Sequence, residues 1–381
     1  MNILIFGGAF DPPHGEHKRI LSETLNYLRD KGIIIDKTVI VPTYNPPHKE
    51  GAFFSFDTRF KMCEAFFEGC EVSDIEKRRG ENNYTCEVLK EFKSEGHLYY
   101  LVGGDSLMRI DGWHKPKEIF SLASIVAVKR SGYTLPEVKA DELRKKYGSD
   151  IKILTPDIEG ENISSTMLKA RALMGDFSEL SETVKEIIIN SKEAEKYYDI
   201  LRKLKSYQSE SLFYHSKMTV LRAVDINSYH NLKIPFEKVF LSALLHDNAK
   251  ERLTLDGFDV PADAIGTPVL HQFLGAEKAK RDFGITDENI LSAIRYHTTG
   301  RAGMSTLEKL IYSADMLSFD RDYPDIDKLV AAIYNDFEDG FFATLKHGYE
   351  FVIKKGVKIY PLTETAYNYY KKEEKNECSR S

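Results

Sequence analysis

An adjacent histidine and aspartate, His246 and Asp247, interrupt the otherwise apolar stretch VFLSALLHDNAK. Burying an ionised carboxylate without a partner costs several kcal/mol, so the pair calls for a metal ion or a salt bridge. Further potential ligands lie on helical stretches: His215 in FYHSKMTVLRA, His271 in PVLHQFLGAEKA, His297 in IRYHTTGR and Asp315 in KLIYSADML. Imidazole nitrogens and carboxylate oxygens on converging helices can hold two transition-metal ions, with Asp247 as the bridging carboxylate. Such a centre is hydrolytic, because water between two cations is acidified towards hydroxide near neutral pH. Mixed nitrogen and oxygen donors favour iron or manganese over magnesium, and zinc, cobalt and nickel are also compatible. Lys250, one turn beyond Asp247, and Arg301, after the HTTG segment, are candidate phosphate contacts; solvated surface charge explains each equally well.

A second constellation opens the chain. GGAFDPPHGEH follows an apolar run and precedes a helical pattern. Gly7 and Gly8 let the backbone approach a phosphate closely, and His14 and His17, three apart at a helix start, can point the same way. Farther on, ENISSTMLKAR offers Ser164, Ser165 and Thr166, hydroxyls that with free N–H groups at a helix start make an anion site. Simple helix capping is the alternative for these hydroxyls.

The elements that must position these residues differ between the two halves. In the first, apolar runs at Asn2 to Phe6, Thr38 to Val41, Leu98 to Val102 and Ser124 to Lys129 read as strands. They alternate with helical stretches around Lys18 to Arg29, Asp57 to Glu68 and Thr85 to Ser94. Nearly continuous apolar strands between helices indicate an α/β domain with a parallel sheet covered on both faces, whose ligands sit at the carboxyl ends of the strands. After Ile163 helical periodicity takes over through Ser164 to Met174, Glu179 to Asn190 and Lys192 to Lys205, and the second half reads as an all-α domain. The charged stretch SKEAEKYY places the boundary near Ser191 to Glu195, giving domains 1–192 and 193–381, with a polar tail expected to fray from about 372.

A chain of 381 residues, 42% hydrophobic and 29% charged, can bury a core in each half. Its formal charge of -6 gives no global attraction to nucleic acid or anionic membranes, so phosphate sites must be local and suit small nucleotides. Cys63, Cys70, Cys86 and Cys378 have neither zinc-ligand spacing nor a disulfide pattern, which fits a reducing compartment. MNILIFGGAF lacks the basic start of a signal peptide, and no apolar run reaches membrane-spanning length, so the cytoplasm is expected. Composition and spacing do not address oligomeric state.

The GGAFDPPHGEH segment resembles the nucleotidyltransferase signature, in which two such histidines hold the triphosphate of ATP. Later segments resemble the nicotinate mononucleotide adenylyltransferase (NadD) family: PTYNPPHK, NNYTCEVL, LVGGDSLMRIDGW, KRSGY and ENISSTMLKAR. The resemblance spans about residues 1–190 and implies a Rossmann-like nucleotidyltransferase. It implies ATP contacts at Gly7, Gly8, His14, His17, Asp105, Ile163, Ser164, Ser165 and Thr166. It also places His48 and Lys49 at a phosphate, Thr85 at the pyridine carboxylate, Trp113 against the nicotinic ring and Arg130 at a strand end facing substrate. A core role for Trp113 stands beside that placement. The implied reaction is in-line attack of a mononucleotide phosphate on ATP, aided by His14, His17, Lys49 and Mg2+ without a general base. Two departures stand out: Glu16 where the family has Gly, so that a carboxylate must turn outward or meet a metal ion, and Lys169 where it has Arg.

LLHDNAK, HTTGRAGMSTLEKLIYSADM and RDYP resemble the YqeK-type branch of the HD phosphohydrolases. That resemblance covers about 193–345 and implies symmetrical hydrolysis of diadenosine tetraphosphate. The spacing alone implies only a dinuclear hydrolytic site. The implied whole is a bifunctional enzyme of NAD synthesis. Alternatives are other nucleotide or cyclic dinucleotide substrates, or a first domain that senses nucleotide and regulates the hydrolase.

Overall fold

The computed structural model describes residues 1–45, 52–80, 83–130, 136–160 and 164–378, with backbone only at 130, 160 and 373–378. The chain divides into two compact units, Met1–Ala172 with Asp176–Glu195, and Leu173–Gly175 with Lys196–Ser381.

The first unit is built on a parallel sheet of β1 (Asn2–Gly8), β2 (Lys37–Pro42), β3 (Glu71–Val72), β4 (His97–Gly103), β5 (Ala123–Arg130), β6 (Ile153–Leu154) and β7 (Glu159–Gly160). Strand order is β3-β2-β1-β4-β5-β6, with β7 paired to β5. Every pairing is parallel, with Ile5 opposite Val39 on one side and Tyr100 on the other. Ile3, Leu4 and Ile5 are fully buried because helices cover both faces, which is why the strand reads as an unbroken apolar run. The chain steps outward from β1 to β2 in one direction and returns beside β1 with β4. That switch point leaves a crevice at the carboxyl ends of β1 and β4. Gly7 and Gly8 end β1, and Gly103 ends β4. A Cβ on Gly7 would press to 3.1 Å from the Tyr100 hydroxyl, and one on Gly8 to 3.1 Å from the Phe10 ring. The three short strands β3, β6 and β7 were not legible as periodic runs, being two residues each.

Buried Arg59 ties the loops above this crevice. Its guanidinium donates to the carbonyls of Ala9 (2.7 Å), Phe54 (3.0 Å) and Tyr44 (3.4 Å), joining the segment after β1 to the one after β2.

The second unit is helical. Helix Glu210–Tyr229 packs against helices Phe236–Leu245 and Thr306–Met316, and helix Leu270–Phe283 against Glu288–Arg295. Start signals are read as physics expects: Ser209 Oγ accepts from Leu212 N, and Ser305 with Glu308 forms a reciprocal capping box. Helices Ile326–Asn335 and Phe337–Lys354 meet at Gly340, where a Cβ would lie 2.2 Å from Ile333 Cα, so only glycine permits the approach. The last helix, Pro361–Cys378, runs past residue 372, where fraying was expected. No helix among the described residues is long and apolar enough to cross a membrane.

Candidate functional site

At the crevice of the first unit, His14 is the N-cap of helix Gly15–Asp30, and its backbone N–H donates to His17 Nδ1 at 3.2 Å. The two rings lie tilted by 44° with centroids 3.9 Å apart. His14 Nε2 reaches Ser165 Oγ at 3.1 Å, so the opening motif and the Ser-Ser-Thr motif meet although 151 residues separate them. Ser164 Oγ accepts from Thr166 N at 3.2 Å, which turns the start of helix Ser165–Leu173 towards His14.

The two departures have physical answers. Glu16 is buried, and Arg19 grips its carboxylate through two bonds of 2.7 Å while also donating to Glu23 and to the Glu159 carbonyl. The carboxylate meets a cation in its own helix. Lys169 Nζ donates to Asp11 Oδ2 at 2.8 Å, and Asp11 also accepts from the N–H groups of Phe53 and Phe54 at 3.0 Å. Burial works to raise the Asp11 carboxyl, but Lys169 and the Phe53 and Phe54 N–H groups together outweigh it and hold the carboxyl below its ordinary value.

Asp105 is the second residue of helix Gly104–Arg109, with Arg109 Nη2 at 3.5 Å from its carboxylate. Thr85 starts helix Thr85–Lys93 and hydrogen-bonds the Tyr100 phenol, which burial pushes up to about 12 against that bond. The Tyr100 hydroxyl lies at Gly7, so Thr85 stands over the end of β1. Trp113 is half-buried and packs on the sheet's core cluster; its neighbour His114 stacks on Tyr84 with centroids 4.1 Å apart. The core contact and an exposed edge coexist at Trp113. His48, Lys49 and Ile163 lie outside the described residues, and Arg130 is described only as the last residue of β5.

In the second unit the six expected ligands gather at one buried centre. Ligand atoms of His215, His246 and Asp247 lie within 4.8 Å of one another, as do those of His246, His297 and Asp315, and those of Asp247, His271 and His297. Asp247 belongs to two of these groups. His246 and Asp247 follow the helix Phe236–Leu245 rather than sitting inside it, and His297 likewise follows Glu288–Arg295. The reason is geometric: at a helix end the side chains leave the helical stripe and turn into the centre.

Three histidines direct Nδ1 at main-chain carbonyls: His246 to Ala243 (2.7 Å), His271 to Pro268 (2.7 Å) and His297 to Ile294 (2.8 Å). Only an Nδ1–H satisfies those acceptors, so in the neutral imidazole the lone pair is on Nε2, aimed inward. His246 Nε2 and Asp247 Oδ1, buried, meet no hydrogen-bond partner. A cluster of inward acceptors with orphaned buried atoms fits divalent cations. Burial works to raise the Asp247 carboxyl, but His246 and His297 outweigh it and hold it well below its ordinary value.

The two basic candidates sit in different surroundings. Lys250 Nζ sits 2.6 Å from Asp247 Oδ2, at the centre itself. Arg301 instead forks onto Glu308, at 2.8 and 2.9 Å, the carboxylate of the capping box. Sequence reasoning missed Arg321, whose Nη2 is 2.7 Å from Asp315 Oδ1 and 3.4 Å from His215 Nε2, and Asp320, which faces His215 Nδ1 at 2.9 Å. The RDYP segment that begins at Arg321 was the available signal.

Comparison with known proteins agrees with this division. Residues 5–171 match the cytidylyltransferase-like family model and residues 212–320 the HD domain model. A relative from Aliarcobacter butzleri, named a probable nicotinate-nucleotide adenylyltransferase, is 33% identical over 196 residues, 50% of this chain and 96% of its own length. A Mycoplasma genitalium protein, named probable nicotinate-nucleotide adenylyltransferase/Ap4A hydrolase, is 24% identical across 91% of this chain and 97% of its own length. Among solved structures, one from Clostridium acetobutylicum, described as a predicted HD superfamily hydrolase involved in NAD metabolism, is 32% identical. It covers 46% of this chain and 97% of its own, with a TM-score of 0.43. The chain thus belongs to the nicotinate-nucleotide adenylyltransferase family, and carries an HD domain behind that enzyme domain.

Proposed function

We propose that the chain is bifunctional. The first unit transfers AMP from ATP to nicotinate mononucleotide, giving deamido-NAD and pyrophosphate. The second splits diadenosine tetraphosphate into two ADP. The domain limits proposed from sequence, 1–192 and 193–381, are kept for this reading.

For the transferase, a phosphate oxygen of the mononucleotide attacks the α-phosphorus of ATP, and the α–β bridge breaks to release pyrophosphate. The nucleophile is already an anion, so the residues have to position and neutralise rather than deprotonate. His14, His17, Ser164, Ser165 and Thr166 line one anion-binding corner at the end of β1, with Lys49 and Mg2+ completing the charge balance. Gly7, Gly8 and Ile163 supply backbone at the phosphates, Asp105 a ribose contact, and His48, Thr85, Trp113 and Arg130 the nicotinate nucleotide. The grip of Arg19 on Glu16 favours turnover over a purely sensing role, because the unfamiliar carboxylate is already neutralised.

For the hydrolase, His215, His246, Asp247 and Asp315 would hold one ion, and Asp247, His271 and His297 the other. Two iron or manganese ions there would acidify water and offset phosphate charge. Water oxygen attacks one central phosphorus, and the bond to the oxygen bridging the two central phosphorus atoms breaks. Lys250 and Arg321 flank the ligands as cations for the leaving phosphate. Arg301 serves that role less directly, since Glu308 engages it.

The observation that carries the hydrolase reading is the convergence of inward imidazole nitrogens on Asp247. Incubating the purified chain with diadenosine tetraphosphate and Mn2+ or Fe2+ should yield ADP alone; ATP plus AMP would refute the symmetrical cut. Pyrophosphate release from MgATP with nicotinate mononucleotide tests the other unit. Binding of nucleotide with no release would favour the sensor reading.

A further inference from the structure

We propose that Asp320 is the positioning residue for His215, so that the ion on the His215 side of the centre depends on this carboxylate; the inference rests on the dinuclear reading above. The four imidazoles are oriented in two ways. His246, His271 and His297 lie at helix ends or in a first turn, and each takes a main-chain carbonyl three residues upstream. Such carbonyls are available because the helical ladder is incomplete there. His215 lies well inside helix Glu210–Tyr229, where carbonyls are engaged in the helix's own bonds. Its orienting partner has to come from another element.

Asp320 supplies it. Its carboxylate oxygens lie 2.9 and 3.2 Å from His215 Nδ1, from a position 105 residues away in sequence. The carboxylate is itself held, since Ser318 Oγ donates to Asp320 Oδ1 at 2.5 Å. The loop is fixed one residue earlier, where Arg222 Nε donates to the Leu317 carbonyl at 2.6 Å. With Nδ1–H on Asp320, His215 Nε2 faces Asp315 Oδ1 at 2.9 Å. A carboxylate behind a ligating imidazole fixes its tautomer and ring angle and makes it a stronger donor, and losing such a partner typically costs about 10–100-fold in metal affinity.

The centre is therefore asymmetric. His271 and His297 are anchored by backbone, whereas the anchor of His215 is a side chain 20% exposed on a loop. A purely structural Asp320 would merely tie the loop to helix Glu210–Tyr229, and its loss would lower the melting temperature of the metal-free chain without touching metal uptake.

The test is a titration of chelator-stripped full-length protein with Mn2+, counting bound ions by electron paramagnetic resonance, for wild type, Asp320→Asn and Asp320→Ala. Wild type is expected to fill two positions. Asp320→Ala should keep one near wild-type affinity and lose about 10–100-fold at the other. Asp320→Asn, which still accepts the Nδ1–H bond without the charge, should lose less, and it carries the test if the alanine variant does not fold. Two ions bound by both variants with wild-type affinity would overturn this inference alone. Wild type that binds no ion would overturn the dinuclear reading and this inference with it.

Discussion

The Nε2 atoms of His271 and His297 lie 3.2 Å apart, each with its own Nδ1 turned to a main-chain carbonyl. Two lone pairs thus face each other, and Asp247 Oδ1 adds a third acceptor at 3.4 and 3.3 Å. The Thr298 hydroxyl, 3.0 Å from His271 Nε2, offers one proton. Burial, with His297 beside it, pushes His271 down to about 4, so His271 itself takes up no proton at neutral pH. A cation between these atoms would satisfy all three acceptors.

Asp247→Ala removes the one carboxylate common to two ligand groups. Hydrolysis of diadenosine tetraphosphate should fall by at least ~10^3-fold, while pyrophosphate release stays at the wild-type rate. Comparable loss of both activities would mean that the substitution had unfolded the chain or that the two sites are not separate.

His14→Ala breaks the link to Ser165 and removes one imidazole from the anion corner. Loss of a preorganised donor typically costs ~10^2–10^3 in rate. Steady-state pyrophosphate release should show that loss in kcat, with hydrolase activity unchanged. A wild-type kcat would remove His14 from the mechanism.

Arg19→Ala strands the buried Glu16 carboxylate beside the corner proposed to hold the triphosphate. Breaking a buried pair from one side is costly, about 3–5 kcal/mol when fully buried and less here because Arg19 is partly exposed. We expect a raised KM for MgATP and a lowered melting temperature, both restored by adding Glu16→Gly. A double variant as impaired as Arg19→Ala would show that Arg19 acts on substrate directly.

Glu76, whose carboxylate accepts from Tyr44 N at 2.8 Å, is pushed by burial from 4.5 up to about 7, against the opposing pull of that bond and Arg59. Between those values the folded chain holds a proton that the unfolded chain has released. The stability from burying the neutral acid is therefore complete below the unfolded value and is lost as pH rises through about 7. Glu76→Gln should remove this slope, stabilising the first unit at pH ~8 by on the order of 2 kcal/mol and changing little at pH ~5. Urea unfolding followed by the single tryptophan, Trp113, reads that unit. Equal effects at both pH values would contradict the assignment.

The readable parts were those in which chemistry and periodicity are local. Apolar runs exposed β1, β2, β4 and β5, and a His-Asp pair in an apolar stretch pointed to a centre at which the six candidate residues lie close together. What stayed hidden was long-range pairing. Nothing in the spacing tells that Arg301 folds back on Glu308 while Arg321 reaches Asp315, since both are arginines after a His or Asp motif. Asp320 looks like one more surface acid until the helix position of His215 shows that it lacks a carbonyl of its own. Arg19 and Glu16 are three apart on one helix, and that pairing was available to sequence reasoning.

Anomalous diffraction from manganese-loaded crystals tests the central claim most directly. The account predicts two peaks in the second unit, one beside His215 and Asp315, one beside His271 and His297, with Asp247 between them. A centre without manganese, or a single peak that does not touch Asp247, would contradict it.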